Sequence, residues 1–467
     1  MSDLENRTFD EIQVGETATL TRTLRQEDIE LFAVMSGDVN PAHLDEEYAR
    51  SEIFHKVIAH GMWGGALISS ILGTSLPGPG TIYLGQTLKF LRPVGLGDEV
   101  TVTVTALEKD EKKKIIIFEC LCANQDGNAV ITGTAKVLAP SEKIIRKRPE
   151  LPEVLLHDSG SKLRAIIQSA EGLPPVKTAV AHPVHDYSLA AVVDAHHAGL
   201  IDPILVGPEE RIRAAAKNAD LDISAFPIIE TNHSHNSAAK AVSMARSLEV
   251  ETIMIGTHYL DELLEEALVP GTGIKTDRLM SQIAVVDMPF YPRPLLLTDA
   301  YINTDPGIRE KKDIIQNAVD LARACGITVP KVALVAASHM IDARLESTLE
   351  AAALCKMAER GQIFNATLEG PITYDMAVSE TAAKRKGVIS EVAGKADIAV
   401  CPNLESAHVL VKQLVSQVRG LVASIVIGAR VPIILPSRGD EPLARLASCA
   451  LAAKYVNHKK TALELDK

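Results

Sequence analysis

Residues 59–72 constrain the fold of the first part of the chain more than any other stretch. The run reads Ala-His-Gly-Met-Trp-Gly-Gly-Ala-Leu-Ile-Ser-Ser-Ile-Leu, so it is small and apolar on nearly every side. A helix that is apolar all round is normally buried inside a protein. Runs typical of strands, separated by turns, follow at residues 81–90, 99–107, 115–123 and 129–138. We therefore predict an α+β domain in which an antiparallel sheet wraps around one buried helix.

A different pattern begins near residue 177 and alternates short apolar runs with helical stretches. The predicted strands are 204–206, 252–255, 283–286, 295–297, 332–335, 398–400, 424–427 and 432–435. The helical stretches between them include 189–198, 237–248, 312–324, 349–360 and 408–418. This alternation predicts an α/β region with mostly parallel strands, large enough for two subdomains facing across a cleft. The charged, proline-bearing stretch 141–162 is the predicted linker, which gives domains 1–140 and 163–467.

Composition narrows the class of protein. A formal net charge of -12 argues against a nucleic-acid partner, since phosphate backbones favour basic surfaces. The longest apolar run, near residues 421–435, is interrupted by Arg430 and Pro432, so we expect no membrane span. The first residues lack a basic region followed by an apolar core, which predicts no secretory signal. The six cysteines follow no zinc or redox spacing. We expect a cytoplasmic, metal-free enzyme.

Residues 36–45 offer a carboxylate and an imidazole five positions apart. Asn40 precedes Pro41 and is biased toward an extended backbone, so the chain should turn and aim Asp38 and His43 into one space. Such a pair can hold a water, remove its proton and return a proton to a neighbouring carbon. Backbone N–H groups where the buried helix begins can stabilise an enolate oxygen. The structural alternative, in which Asp38 caps a helix and His43 is a core histidine, stays open at this point.

The motifs at residues 36–43, 59–62, 77–83 and 90–98 resemble those of the MaoC-like (R)-specific enoyl-CoA hydratases. The resemblance covers nearly the whole first region and implies a hot-dog fold that usually works as a dimer. It implies that Asp38 and His43 are the catalytic pair, that the Gly61 amide binds the thioester oxygen, and that Ser69 is a supporting serine. The chain departs from the family at Ala42, where a branched apolar residue is common.

In the second region, polar stretches follow several predicted strands, at residues 256–258, 298–300, 369–371 and 436–440. Loops at the carboxyl ends of strands converge on the ligand site in many α/β sheets. Arg438 can clamp a phosphate, Ser437 can donate to a carbonyl oxygen, and Asp440 can accept a proton from a thiol. Each of these residues taken alone is also compatible with a turn or a surface ion pair.

Taken as a set, residues 176–453 resemble the phosphate acetyltransferase and phosphate butyryltransferase family. The resemblance implies reversible conversion of acyl-CoA and phosphate to acyl phosphate and CoA. The acetyl branch has a basic aspartate where this chain has Ala444, so Asp440, or alternatively Glu441, takes that role in our interpretation. The residues that carry over are Ser437, Arg438 and Asp440 as catalytic residues and His258, Lys275 and Arg278 as substrate contacts.

The two resemblances together predict a bifunctional acyl-CoA enzyme. It would hydrate trans-2-enoyl-CoA to (R)-3-hydroxyacyl-CoA and transfer an acyl group between CoA and phosphate. Its ligands would be CoA thioesters and phosphate, with no tightly bound cofactor, and it would form a homo-oligomer, as a dimer or larger. Two alternatives stay open: a C-terminal region that senses acyl-CoA and oligomerises without turnover, and a first region that binds acyl-CoA without catalysis.

Overall fold

The structure, a computed structural model, describes residues 3–152, 154, 156, 158–256 and 260–465. The chain divides into two compact units, residues 1–156 and 157–467. Within the stretch predicted as a linker, Ile145–Arg146 form a short strand of the first unit and a helix of the second unit begins at Ser161. The domain bounds 1–140 and 163–467 stay a prediction.

The first unit contains seven strands and four helices in its described part. The strands are β1 (Leu4–Glu5), β2 (Thr17–Thr23), β3 (Ile82–Phe90), β4 (Glu99–Asp110), β5 (Ile115–Asn124), β6 (Ala129–Leu138) and β7 (Ile145–Arg146). The helices are α1 (Gln26–Ser36), α2 (Pro41–Leu44), α3 (Glu46–Ser51) and α4 (Gly61–Thr74). Five strands form one antiparallel sheet in the order β2-β4-β5-β6-β3, and β1 pairs with β7.

Helix α4 packs its apolar face on this sheet. Its buried residues Ile68, Ile71 and Leu72 join one core with alternate residues of the strands, such as Val102 on β4 and Phe118 on β5. Alternation puts every second residue of β4 and β5 on the core side. All four predicted strands are confirmed. The predicted α+β fold, an antiparallel sheet around a central helix, is therefore confirmed.

Two details of this unit differ from the sequence prediction. Helix α4 is not enclosed on all sides, because Met62, Ala66 and Ser69 lie on an exposed face. Strand β2 was not predicted, since only Ala18 and Leu20 of its seven residues are partly buried and the rest are exposed. An edge strand that buries so little apolar surface gives a weak sequence signal.

The described part of the second unit contains eleven strands and eleven helices. The strands are β8 (Val176–Ala181), β9 (Ile201–Gly207), β10 (Ile228–Glu230), β11 (Thr252–Ile255), β12 (Ser281–Asp287), β13 (Leu295–Thr298), β14 (Lys331–Val335), β15 (Thr367–Ile372), β16 (Ile398–Val400), β17 (Leu421–Ile427) and β18 (Ile433–Ile434). The helices are α5 (Ser161–Gln168), α6 (Asp186–His197), α7 (Glu209–Asn218), α8 (Ser234–Arg246), α9 (Leu260–Leu268), α10 (Ile308–Ala324), α11 (Glu346–Glu359), α12 (Tyr374–Val378), α13 (Glu380–Arg385), α14 (Leu404–Ser416) and α15 (Pro442–Leu465).

These strands form one sheet in the order β10-β9-β8-β11-β18-β17-β12-β13-β16-β14-β15. The strands from β10 to β18 are mutually parallel, and so are those from β13 to β15. Three antiparallel pairings at β17 and β12 join the two groups, so the groups run in opposite directions. The predicted α/β architecture is confirmed. The carboxyl-end loops of the two groups do not converge, because the two groups end at opposite edges of the sheet.

Among the helices of the described residues, none combines the length and the apolar character needed to cross a lipid bilayer.

Candidate active sites

The first candidate site is built on the turn between α1 and α2. Helix α1 ends at Gly37, whose φ of 75° is the left-handed conformation that glycine adopts without strain. Helix α2 begins with Pro41, and the side chain of Asn40 accepts a hydrogen bond from the Ala42 N–H at 3.1 Å. The chain therefore turns between Asp38 and His43, as Pro41 indicated from the sequence.

Three polar side chains converge behind this turn. A carboxylate oxygen of Asp38 and one ring nitrogen each of His43 and His60 lie within 4.8 Å of one another. The Nδ1 of His43 lies 2.9 Å from the carbonyl oxygen of Ile58, which can only accept, so Nδ1 carries the proton and Nε2 keeps a lone pair. Metal ions also use such a donor set, so the expectation of a metal-free enzyme stays a prediction.

A cavity of about 270 Å³ lies next to these side chains. Its exposed rim includes Phe54 and Phe90, while Trp63 and Ile131 are almost completely buried at its inner wall. The cavity therefore narrows from an open mouth into the core. The lining residues are His43, Phe54, Ile58, Ala59, His60, Gly61, Trp63, Gly64, Phe90, Leu91, Arg92, Pro93, Val94, Val100, Val130 and Ile131.

Gly61 is the first residue of α4 and lines this cavity. The first N–H groups of a helix lack an acceptor within the helix and carry the positive end of its dipole. A side chain at this position would crowd the cavity rim, because an added Cβ would lie 3.0 Å from Cε1 of Phe90. Ser69, two turns further along α4, is exposed and lies outside the cavity lining. The structure thus brings Asp38, His43 and Gly61 together and leaves Ser69 apart.

The second candidate site is the loop that follows β18. The N–H of Ser437 donates to Oδ2 of Asp440 at 2.7 Å, and the Asp440 N–H donates back to the Ser437 carbonyl at 3.1 Å. Burial raises the pKa of the Asp440 carboxyl, against the opposing effects of the Ser437 N–H and of the charges on Lys412 and Arg445. Arg438 is exposed at the tip of the loop. Ser437, Arg438 and Asp440 therefore form one compact turn.

Side chains from two helices add to this turn. The Arg445 guanidinium of α15 lies 6.0 Å from the ring centroid of Tyr187 on α6. Burial raises the pKa of Tyr187, and the charges of Arg438 and Arg445 oppose that rise. Besides Arg438 of the loop itself, the cations that act on the groups of this turn are Arg445 of α15 and Lys412 of α14. The sequence analysis did not identify Tyr187, Arg445 or Lys412. Arg445 stands only eight positions after Ser437, so its spacing could have indicated a role in this site. Tyr187 lies too far away in sequence for spacing to indicate one.

The structure does not bring Lys275 and Arg278 to this loop. Both residues precede β12. Lys275 forms an isolated antiparallel β-bridge with Ala429, which lies beyond the end of β17. Ser437 lies toward the opposite end of β17, whose seven residues span roughly 20 Å. Arg278 instead forms an ion pair with Asp320 at 2.5 Å. The proposed contact His258 lies outside the residues that the structure describes.

Comparisons with known families and sequences match both units. The family described as "MaoC like domain" matches residues 10–121, and the family described as "Phosphate acetyl/butaryl transferase" matches residues 234–453. A phosphate acetyltransferase from Rhizobium meliloti is 45% identical over 302 residues, which are 65% of this chain and 96% of the relative. A phosphate butyryltransferase from Clostridium acetobutylicum is 37% identical over 294 residues, 63% of this chain and 98% of the relative.

Solved structures also match parts of this chain. An unliganded R-hydratase from Pseudomonas aeruginosa is 46% identical and matches 33% of this chain and 100% of its own, with a TM-score of 0.33. A branched-chain phosphotransacylase from Enterococcus faecalis is 24% identical and matches 60% of this chain and 99% of its own, with a TM-score of 0.53. The second likeness shows the fold of the second unit.

The fold and the two sites define a fusion of a hot-dog domain with a two-subdomain acyltransferase fold. The chain belongs to the phosphate acetyl/butyryltransferase family through its second unit, and its first unit is a MaoC-like domain.

Proposed function

We propose that the chain is a bifunctional acyl-CoA enzyme, with an enoyl-CoA hydratase site in the first unit and a phosphate acyltransferase site in the second. For the first activity, the proposal depends on the convergence of Asp38 and His43 beside one apolar cavity, whose lining includes His43 and Gly61. Helix capping alone does not require a half-buried His43 with a ring nitrogen within 4.8 Å of a carboxylate oxygen of Asp38.

The geometry supports hydration of a trans-2-enoyl thioester. The acyl chain enters the cavity, and a water held between Asp38 and His43 attacks C3 as Nε2 of His43 takes one of its protons. The electrons of the double bond move to the thioester oxygen, which receives a hydrogen bond from the Gly61 N–H. The same proton then returns to C2, so one water has been added and no charge remains. The product is a 3-hydroxyacyl-CoA.

In the second unit, the loop after β18 supports acyl transfer between CoA and phosphate. In the direction of thioester synthesis, the CoA thiol attacks the carbonyl carbon of an acyl phosphate and passes its proton to Asp440. The Ser437 hydroxyl donates to the carbonyl oxygen, and Arg438 binds the departing phosphate through its planar fork. Burial raises the pKa of Asp440 and makes its carboxylate a stronger base than an exposed one.

Two assays on the purified full chain test the proposal. Loss of the conjugated enoyl absorbance of crotonyl-CoA measures hydration, and release of free thiol from acetyl-CoA or butyryl-CoA in phosphate measures acyl transfer. We expect both signals, with thiol release absent when phosphate is omitted. A protein that leaves crotonyl-CoA intact contradicts the first activity, and one that releases no thiol with either donor contradicts the second.

One observation favours a second candidate, a C-terminal unit that binds acyl-CoA without turnover. Ala444 is almost completely buried within α15, so no carboxylate stands at the position that the acetyl branch uses. The role of the base then falls on the neighbouring Asp440 or Glu441, and Oδ2 of Asp440 is already held by the Ser437 N–H. Binding of butyryl-CoA without phosphate-dependent thiol release would support this candidate over the acyltransferase.

We also propose that the first unit pairs with a second copy through strand β3. This strand ends the five-stranded sheet, and Ile82 and Leu84 on it are about half exposed. Met62 and Ala66 extend the apolar surface along the exposed face of α4. A free apolar edge is a natural site for strand pairing.

Hydrogen–deuterium exchange at β3 tests this pairing. In the full chain we expect β3 amides to exchange much more slowly than those of β2, the other edge of the sheet. Ala66→Arg, which places a charge on the exposed face of α4, should speed exchange at β3 and lower the molar mass measured by light scattering. Thr19→Arg on β2 is the matched control and should change neither. Equally fast exchange at both edges of the unmodified protein would contradict the pairing.

A further inference from the structure

His60 is a buried imidazole that contacts both members of the proposed catalytic pair. Its side chain is 3% exposed, and its Nε2 lies 3.0 Å from the backbone carbonyl oxygen of Asp38. Its ring lies 4.0 Å from the ring of His43, centroid to centroid, and 4.9 Å from that of Phe32. His60 precedes α4, but its side chain makes no capping hydrogen bond to that helix. Its contacts are therefore directed to the site and not to the helix end.

These contacts define the protonation of the ring. A carbonyl oxygen can only accept, so Nε2 of His60 carries the proton and donates it to Asp38. The remaining nitrogen, Nδ1, is then an acceptor, and it is buried without a hydrogen-bond partner among the described residues. A buried acceptor without a partner is costly, which makes it unusual in a residue with a purely structural role.

A neutral His60 suits the reaction proposed for this unit. During hydration His43 takes up a proton, and a second positive charge 4.0 Å away would oppose that step. A neutral His60 ring instead packs against one side of the His43 ring. It does not compete with His43 for the proton of the attacking water. Its Nε2–H fixes the backbone of Asp38, while the Asn40 N–H contacts Oδ1 of that residue at 3.3 Å. His60 thus holds both the Asp38 residue and the His43 base in place.

We infer that His60 is a positioning residue of the hydratase site, held as the neutral Nε2–H tautomer, which fixes the Asp38 backbone and the ring plane of His43. This inference rests on the proposed hydratase function for its kinetic consequences. Its structural content, the tautomer and the two contacts, does not depend on that function.

Two substitutions separate the two contacts. His60→Phe keeps an aromatic ring against His43 and removes the donor to Asp38, whereas His60→Gln keeps an N–H donor near the position of Nε2. We expect His60→Phe to lower kcat for crotonyl-CoA about 10²-fold, because small displacements of catalytic groups are costly. The KM should change less than about threefold, since His60 acts on the catalytic groups and not on acyl binding. His60→Gln should recover kcat to within about fivefold of the original.

The controls use the same full chain. His55 is exposed and its Nδ1 contacts the Arg50 carbonyl, so His55→Gln is a matched substitution outside the site and should leave kcat unchanged. Phosphate-dependent thiol release should be unchanged in every variant. Unaltered kcat in His60→Phe, or equal losses in His60→Phe and His60→Gln, would overturn the positioning role of the donor.

Nitrogen-15 spectra of histidine-labelled protein test the tautomer without any assay of activity. We expect His60 to show a protonated Nε2 and His43 a protonated Nδ1, with each signal assigned by its loss in the corresponding glutamine variant. A protonated Nδ1 on His60 would overturn the inference even if hydration is observed. A protein that shows the expected tautomers but does not hydrate crotonyl-CoA would contradict only the proposed function.

Discussion

Replacing Asp38 by Asn should abolish hydration and leave acyl transfer intact. The amide keeps the size of the carboxylate but cannot hold the attacking water as a charged partner of His43, the base. We expect kcat/KM for crotonyl-CoA to fall about 10³-fold, within the range for loss of a general acid–base group. Phosphate-dependent thiol release from butyryl-CoA should stay within about twofold, since Asp38 belongs to the first unit.

Asp45→Asn is the matched control for this change. Asp45 lies in the same stretch of sequence and its carboxylate accepts from the Tyr48 N–H at 2.9 Å at the start of α3. Its substitution should cost about 1 kcal/mol of stability or less and leave hydration nearly unchanged. Hydration above a tenth of the original in Asp38→Asn would contradict the catalytic role of Asp38. Equal loss of both activities would contradict two independent sites.

Local patterns in the sequence were sufficient to predict most of the fold. Strand β4 alternates apolar and polar residues, and β4 and β5 both alternate between buried and more exposed residues. The turn at Gly37 and Pro41 depends on the backbone preferences of those two residues, so it too could be predicted. Strand β2 escaped prediction because its partly buried residues, Ala18 and Leu20, contribute little apolar area.

The site residues that the sequence misplaced or missed depend on contacts between distant segments. Arg278 was expected near Ser437 because the resemblance to the acyltransferase family implied that both contact the substrates. The antiparallel pairings of β12 and β17 reverse the strand direction between the two halves, and no local pattern reveals that reversal. Tyr187 contributes to the second site only because α6 packs beside α15, far away in sequence. The sequence pointed only to backbone N–H groups where α4 begins and not to the His60 side chain, since the contacts of that ring depend on how the turn after α1 folds back.

Replacing Arg438 by Gln should reduce acyl transfer more than any other single change in the second unit. The guanidinium can bind phosphate through two parallel N–H donors. It also offsets the negative charge of the phosphate as the bond between acyl group and phosphate forms or breaks. An amide offers only one neutral N–H₂ group. Loss of one such contact in an active site costs about 10²–10³-fold in kcat. We expect a fall of that size in phosphate-dependent thiol release, together with a higher KM for phosphate.

Arg438→Lys and Arg360→Gln make this prediction specific. Lysine keeps the charge without the planar fork, so Arg438→Lys should recover only part of the lost rate. Arg360 is exposed at the end of α11, and its substitution should leave thiol release unchanged. Hydration of crotonyl-CoA should be unaffected in all three variants, because the change lies in the second unit. Full thiol release by Arg438→Gln would contradict the phosphate-binding role of Arg438. The phosphate site would then have to be assigned to other cations near the loop, such as Arg445 or Lys412.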